Sequence, residues 1–173
     1  MDQVCFCCCL SAVMRGLYNK EMSTDEIDEI LSNNPITDIF YMRCFPSNKL
    51  PKCEHFPCSM VVNFDEHTKP GTHWVAVYAP DSTEAHYFDS FGGGETDIEN
   101  INEYLQDNFE LVTNRSKAIQ SRRSKVCGYY AIFFIYLSSK GIPFKRIERL
   151  LLKEKRPDAL VYKYVNEKIK MSI

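Results

Sequence analysis

The sequence predicts an α+β fold in which helices surround a central sheet. Three segments rich in Val, Tyr, Phe or Trp follow one another at 59–64, 74–78 and 85–88, and this composition is typical of strands. Between 129 and 137 the chain is almost purely apolar, which predicts a helix that is buried on all sides. Strands grouped in the middle of the chain, with helices before and after them, indicate the α+β class.

A first helix is predicted after Ser23. Ser23 and Glu26 form a capping-box pattern, and the Asn-Asn-Pro sequence at 33–35 ends the helix. A short aromatic segment at 40–42 predicts a strand, and a loop rich in Pro and Lys follows at 46–57. The buried face of this helix should consist of Ile27, Ile30 and Leu31.

Two short turns and a glycine-rich break shape the rest of the predicted sheet. The turns at 65–72 and 79–84 are short enough to join antiparallel neighbours. Three glycines at 92–94 precede Asp97, a predicted helix cap, and 110–113 predicts a further strand. The helix after Asp97 should bury Ile98, Ile101, Tyr104 and Leu105.

Three more helices are predicted after the sheet. The central helix begins near Cys127 and ends at the Lys-Gly pair 140–141, which is a typical C-cap. Pro143 begins the next helix, and Pro157 begins the last one, which should continue to Ile169. The apolar positions of the helix after Pro143 are Ile147, Leu150 and Leu151.

Length and composition favour one globular domain. The chain has 173 residues, of which 45% are hydrophobic and 13% aromatic, and this is enough to build a core. We expect the domain to cover 23–173, with 1–22 as an N-terminal extension, and we expect a monomer. The net charge of −2 argues against a protein that is basic throughout, so a polyanion site would have to be a local patch.

The eight cysteines fall into three groups. Four lie within 5–9, three lie between 44 and 58, and Cys127 stands alone. A chain of this size does not need a disulfide framework. The apolar run at 4–14 is too short to span a bilayer and lacks the basic start of a signal peptide. We therefore expect no membrane span and an intracellular, reducing compartment (cytoplasm, nucleus or a virus-like particle), with palmitoylation of the N-terminal cysteines as an open alternative.

Cys127 lies where a thiol becomes reactive. It comes at the predicted first turn of the central helix, where free backbone N–H groups and the helix dipole favour a thiolate. Gly128 behind it leaves room for the backbone of another chain. Gly128 is therefore a candidate substrate-binding residue.

A cysteine nucleophile needs a base and a third group that orients the base. His73 stands directly before one predicted strand, and Asp89 stands directly after the next. If these strands are antiparallel neighbours, Asp89 lies beside His73 and can orient its imidazole. Gln120, seven positions before Cys127, could donate its amide to a developing oxyanion. Each side chain alone is more often a solvated or capping residue, and only their combination predicts catalysis.

Four separated motifs now resemble one known family. They are GTHWVAVY at 71–78, HYFDSFG at 86–92, Gln120, and CGYY at 127–130. Together they resemble the adenovirus-type cysteine endopeptidases and their Polinton/Maverick relatives, which belong with the Ulp-type SUMO proteases in one clan. The resemblance extends over about 23–151. It implies a papain-like or Ulp-like fold: a mixed, mainly antiparallel central sheet flanked by helices, with the nucleophile at the N-terminus of the buried central helix.

The resemblance assigns a role to each residue of the set. His73 is the general base, Asp89 its acidic partner and Cys127 the nucleophile. Gln120 and the backbone N–H of Cys127 are the oxyanion donors. Trp74, the aromatic residue that follows the base, is a second candidate substrate-binding residue.

Two positions differ from the adenoviral pattern. Adenoviral enzymes carry glutamate at the acidic position, whereas Asp89 is more usual in Ulp-type and transposon relatives. The adenoviral enzyme is activated by a disulfide-linked peptide, but Phe109 occupies the place of the cysteine involved. The resemblance therefore gives no support for a disulfide-linked activator here, whereas a DNA or peptide activator stays an open alternative.

The resemblance implies a cysteine endopeptidase that acts on protein substrates and needs no cofactor. We expect it to process precursors of viral or transposon structural proteins. One alternative is a Ulp-type isopeptidase that removes SUMO-like or ubiquitin-like modifiers. A second alternative is a catalytically inactive binding module of the same fold.

The sequence contains candidate residues for two further kinds of site. A zinc site would need Cys44, Cys53, His55 and Cys58, but their spacing fits none of the usual zinc motifs, so we expect no metal. DNA, which activates adenoviral relatives, would bind at a cluster of basic residues in the loop before Cys127. That cluster consists of Arg115, Lys117, Arg122, Arg123 and Lys125.

Overall fold

A computed structural model describes residues 21–93, 98–114 and 117–172. In this part of the chain a five-stranded sheet has helices on both faces, and the predicted α+β class is confirmed. The strands are β1 (Tyr41–Pro46), β2 (Cys58–Asn63), β3 (Trp74–Ala79), β4 (Glu84–Phe88) and β5 (Leu111–Thr113). The helices are α1 (Thr24–Asn33), α2 (Glu99–Asn108), α3 (Cys127–Ser139), α4 (Phe144–Lys153) and α5 (Pro157–Tyr164).

The sheet is mixed, with strand order β1-β2-β3-β4-β5. The inner pairs β2–β3 and β3–β4 are antiparallel, as their short turns predicted, whereas the outer pairs β1–β2 and β4–β5 are parallel. A parallel pair needs a longer crossover, and α2 provides it between β4 and β5. In the β3–β4 register Ala76 pairs with Phe88, so the start of β3 lies beside the end of β4.

The two faces of the sheet pack against different helices. Alternate residues of a strand point to opposite faces, and β3 shows this: Val75 and Val77 belong to the cluster with α2, whereas Ala76 and Tyr78 belong to the cluster with α3. Because both faces are covered, every residue of β2 is buried. A sheet covered on both faces holds the strand ends in place.

Helix α3 is the buried central helix that the sequence predicted. Each of its first ten residues is buried, and Phe134 stacks on Phe88 of β4 with ring centroids 4.7 Å apart. The helix ends where predicted: Gly141, at φ +74°, donates its N–H to the Ser138 carbonyl at 2.8 Å. Among the described residues no helix combines the length and the apolar character needed to cross a bilayer.

Helix α1 begins with the predicted capping box. The Ser23 hydroxyl accepts the Glu26 N–H at 3.2 Å, and the Glu26 carboxylate accepts the Ser23 N–H at 3.0 Å. Its predicted apolar face is buried. Of the predicted extension 1–22, the structure describes residues 21 and 22, and Met22 is buried in the core with 5% exposure.

Three details of the other helices differ from the predictions or lie beyond the structure. Asp97, the predicted cap of α2, lies outside the described residues. In α4, Leu150 is 45% exposed, because it lies at the edge of the stripe formed by Phe144, Ile147 and Leu151. The last helix is α-helical only to Tyr164 and continues as a π-helical segment, Val165–Ile169.

The cysteines in the middle of the chain are not arranged as a zinc site. Cys53 and Cys58 form a disulfide, which the sequence analysis did not predict. The Cys44 sulfur lies 3.2 Å from the Tyr41 hydroxyl, and His55 is exposed. Within the described ranges no three His, Cys, Asp or Glu side chains come together as metal ligands.

Candidate active site

The sheet brings His73 and Asp89 together. His73 directly precedes β3 and Asp89 directly follows β4, and both are buried, with 6% and 4% exposure. Nε2 of His73 lies 2.7 Å from Oδ1 of Asp89. This contact follows from the antiparallel pairing of β3 and β4, and it is the contact that the sequence analysis predicted.

Two aromatic rings hold the imidazole of His73. Phe64 meets it edge-on and Phe91 lies tilted against it, each with a ring-centroid distance of 4.7 Å. Since a carboxylate only accepts, Nε2 carries the proton that points to Asp89. In the neutral ring this leaves Nδ1 as the basic nitrogen. Nδ1 is buried, and it is the ring nitrogen left to interact with the Cys127 thiol.

The protonation of His73 reflects its two neighbours. Burial disfavours the charged ring, but hydrogen bonding to Asp89 and to Cys127, together with their negative charge, raises the pKa of His73 to about 9. Burial also works against the Asp89 carboxylate. Hydrogen bonds from His73 and from the N–H groups of Phe91 (2.8 Å) and Gly93 (3.3 Å) outweigh it and lower the pKa of Asp89. An ionised Asp89 beside a readily protonated His73 can stabilise a thiolate–imidazolium pair.

Cys127 is the first residue of α3. Its thiol is free and 6% exposed, and it interacts with the His73 ring. The residue before it, Val126, provides no side-chain cap. The first N–H groups of α3 therefore receive no cap from that side chain, and the positive end of the helix dipole lies at the sulfur.

Gln120 is buried in the loop that leads to α3, with 3% exposure. Its Nε2 donates to the Ser124 carbonyl at 2.9 Å, and its Oε1 accepts the Ser90 hydroxyl at 2.6 Å. The amide is thus hydrogen-bonded to Ser90, which directly follows Asp89, and to Ser124, which lies three positions before Cys127. Ser90 was not among the predicted site residues. Its position directly after Asp89 was the available signal.

A cleft of about 590 Å³ opens at Cys127. Trp74 lines it, and its indole N–H donates to the Met22 carbonyl at 2.9 Å. Gly128 does not leave the open space that we expected: a Cβ at this position would come within 3.0 Å of the Met22 side chain. The structure therefore shows Gly128 packed against its own chain, and Trp74 remains the predicted substrate-binding residue that lines the cleft.

The basic loop lies at the surface. Lys117, Arg122 and Arg123 are exposed, and Lys125 forms an ion pair with Glu21 at 3.0 Å. Arg115 lies outside the described residues. The exposed arginines are available to a polyanion, and DNA binding at this loop remains a prediction.

Comparisons with solved structures match this fold. The ASFV pS273R protease superposes with a TM-score of 0.52 and 18% identity, over 91% of this chain and 77% of its own. The Se-Met form of the same protease gives a TM-score of 0.51 and 19% identity, over 86% of this chain and 68% of its own. The SUMO protease Ulp1, with its catalytic cysteine oxidised to a sulfinic acid, gives a TM-score of 0.43 and 13% identity, over 87% of this chain and 80% of its own. No protein-family model and no curated protein matches the sequence.

The chain thus has the α+β fold of the ASFV pS273R protease, as predicted. The likeness to the two ASFV structures establishes the fold alone. The closer relationship to adenovirus-type and Polinton enzymes remains a prediction.

Proposed function

We propose that this protein is a cysteine peptidase. Cys127 is the nucleophile, His73 the general base and Asp89 the group that orients the base. The observation that carries this proposal is the buried 2.7 Å contact between His73 and Asp89, next to a free thiol at the start of α3. A structural ion pair would not require the adjoining thiol or the cleft that opens on it.

The mechanism begins with transfer of the thiol proton of Cys127 to Nδ1 of His73. The thiolate attacks the scissile carbonyl, and the side-chain amide of Gln120 and the backbone N–H of Cys127 stabilise the oxyanion. The His73 imidazolium then protonates the leaving amine. His73 next takes a proton from a water molecule, which attacks the acyl-enzyme, and the acid product and the thiol are released.

The substrate we propose is a precursor of viral or transposon structural proteins. The likeness to the ASFV pS273R protease supports a viral type of enzyme, and the family resemblance of the motifs supports the same class. Isopeptidase action on SUMO-like or ubiquitin-like conjugates is the alternative. Both reactions use the same attack on a carbonyl, so only substrate profiling separates them.

The test of catalysis is to replace the nucleophile. Cys127→Ala and the nearly isosteric Cys127→Ser should reduce hydrolysis of a cleaved peptide to background, while the melting temperature stays close to that of the wild type. Peptide libraries should be compared with SUMO-based and ubiquitin-based probes. Hydrolysis that persists in Cys127→Ala would refute the assignment. A wild-type protein that binds such probes without cleaving them would indicate the inactive binding module instead.

Reaction with iodoacetamide gives a second readout that does not depend on the substrate. A thiolate held by an imidazolium reacts well below the usual pKa of a thiol. Alkylation of Cys127, located by peptide mass spectrometry, should therefore be fast at pH 6 to 7 in the wild type. It should become slow in His73→Ala, because the group that takes the thiol proton is gone.

A further inference from the structure

We propose that Ser90 is a positioning residue that keeps the Gln120 amide in the orientation needed to bind the oxyanion. This inference rests on the proposed peptidase function and extends it to a residue outside the predicted set. It concerns how the site is assembled and adds no new chemical step.

Ser90 binds Gln120 through both its side chain and its backbone. Its hydroxyl donates to Oε1 of Gln120 at 2.6 Å, and its carbonyl accepts the N–H groups of Gln120 (3.0 Å) and Ile119 (2.9 Å). Ser90 is 1% exposed, so water does not compete for these bonds. Three hydrogen bonds to one buried residue hold this part of the loop.

The hydrogen bonds also determine which way the amide faces. A main-chain carbonyl only accepts, so the nitrogen of Gln120 must face Ser124 and its oxygen must face Ser90. One N–H of Nε2 is used at Ser124, and the other is left for an acceptor brought by the substrate. Without the Ser90 hydroxyl, Oε1 would be buried with no partner, which is costly. This cost favours displacement of the amide from its present position.

One turn therefore orients both the base and the oxyanion donor. We call residues 89–93 the acid turn. Asp89 at its start binds His73, and Ser90 next to it binds Gln120. Gly92, at φ +74°, allows the acid turn to pack against the loop: a Cβ there would lie 2.3 Å from the backbone carbon of Lys117.

The test compares Ser90→Ala with Ser138→Ala. Ser138 is a matched control, since it is also buried, at 3% exposure, and its hydroxyl has no hydrogen-bond partner within the described residues. It lies about 16 Å along α3 from the nucleophile. Loss of an oxyanion donor lowers kcat by about 10²–10³-fold, and a misoriented donor should cost about tenfold to 100-fold. We expect that loss in Ser90→Ala with KM little changed, and no loss in Ser138→Ala.

Two inhibitors separate positioning of the amide from a general loss of structure. A peptide aldehyde adds to Cys127 and places an oxyanion-like oxygen beside Gln120, so its affinity should fall in Ser90→Ala by a factor similar to that for kcat. Iodoacetamide forms no oxyanion, so its rate of reaction should stay at the wild-type value. Alkylation that slows in parallel with kcat would overturn the proposal, as would a kcat equal to that of Ser138→Ala.

A double mutant tests whether Ser90 acts through Gln120. If it does, Ser90→Ala combined with Gln120→Ala should be no slower than Gln120→Ala alone. Losses that multiply would show that Ser90 acts elsewhere and would overturn the proposal.

A spectroscopic measurement distinguishes failure of this inference from failure of the proposed function. The side-chain NH₂ signals of Gln120, identified by their loss in Gln120→Ala, should shift and exchange faster in Ser90→Ala but not in Ser138→Ala. An unchanged Gln120 signal in Ser90→Ala refutes the positioning role. If the wild type hydrolyses no peptide, the proposed function fails, and this signal still decides whether Ser90 holds the amide.

Discussion

Besides Cys127 at the start of α3, the candidate site has two halves that are held in different ways. The sheet half consists of His73 and Asp89, which stand at adjoining ends of two strands paired across the sheet. The loop half, residues 120–124, belongs to no helix or strand. It is held by Ser90 on one side and by Asp158 on the other. The Asp158 carboxylate accepts the backbone N–H of Ser121, which lies 3.4 Å from each of its two oxygens. It also accepts the hydroxyl of Tyr130 at 2.9 Å.

The difference shows which parts of the site tolerate change. The backbone ladder of the sheet places the sheet half, so single substitutions elsewhere should leave the distance between His73 and Asp89 unchanged. The loop half depends on a few side-chain contacts, and removing one of them can release it. Changes in the sheet half should therefore act on proton transfer, and changes in the loop half on stabilisation of the oxyanion.

The largest effect is expected from Asp89→Asn, which keeps the shape of the sheet half but removes its charge. The pKa of His73 should fall, because the negative partner that helps to raise it is gone, and kcat/KM should drop by about 10⁴-fold, the size of the loss in the corresponding change of a serine-protease triad. The measurement is kcat/KM together with the pH dependence of Cys127 alkylation.

The control for this variant is Asp107→Asn, the same chemical change at an exposed position of α2. It should match the wild type in both measurements. A loss of less than tenfold in Asp89→Asn would show that the carboxylate does not govern His73.

A smaller effect is expected from Asp158→Ala, which releases the loop half at its second anchor. Hydrogen bonds to a charged group contribute about 1.5–3 kcal/mol, so the free energy of unfolding should fall by about that amount, with kcat about tenfold lower. Tyr130→Phe removes only one of the contacts and should show about half the loss of stability. Urea titration gives the first quantity and steady-state kinetics the second. An unchanged kcat in Asp158→Ala would mean that Ser90 alone suffices to hold the loop.

The sheet half should also make stability depend on pH. His73 has an ordinary pKa of 6.5 that rises to about 9 in the folded protein, so the folded state binds the proton more tightly. This contribution is complete below pH 6.5 and disappears as the pH rises through about 9. Asp89 has the opposite pH dependence. Its pKa is lowered in the folded protein, so its contribution to stability is present at neutral pH and is lost as the pH falls into the acid range. Thermal melts should therefore show a decline between pH 7 and 9.5 that is absent in His73→Ala, and an identical decline in that variant would contradict the assignment.

The smallest effect concerns the exposed charge of the loop half. If DNA binds there, replacing Arg122 and Arg123 by alanine removes two phosphate contacts, and the slope of log Kd against log salt should fall by about 2. The control replaces Lys145 and Arg146, which are exposed on α4, by alanine. It changes the net charge by the same amount and should leave the slope unaltered. Fluorescence anisotropy with a short duplex measures both, and equal slopes would leave the loop without a role in DNA binding.

Much of the fold and of the sheet half could be read from local patterns. Unbroken apolar character predicted α3, and short turns predicted that β3 and β4 are antiparallel. From that pairing alone the contact of His73 with Asp89 followed. These features depend on neighbours in sequence or on the two-residue period of a strand, so no knowledge of the remote packing was needed.

Other features depend on contacts between remote parts of the chain, and no periodicity encodes them. Ser90 meets Gln120 across 30 positions and Trp74 meets Met22 across 52. Met22 fills the space that Gly128 was expected to leave open, because Met22, two residues before α1, packs against the start of α3. Local propensity limits which elements form, but only the packing of the whole chain determines which side chains meet in the loop half.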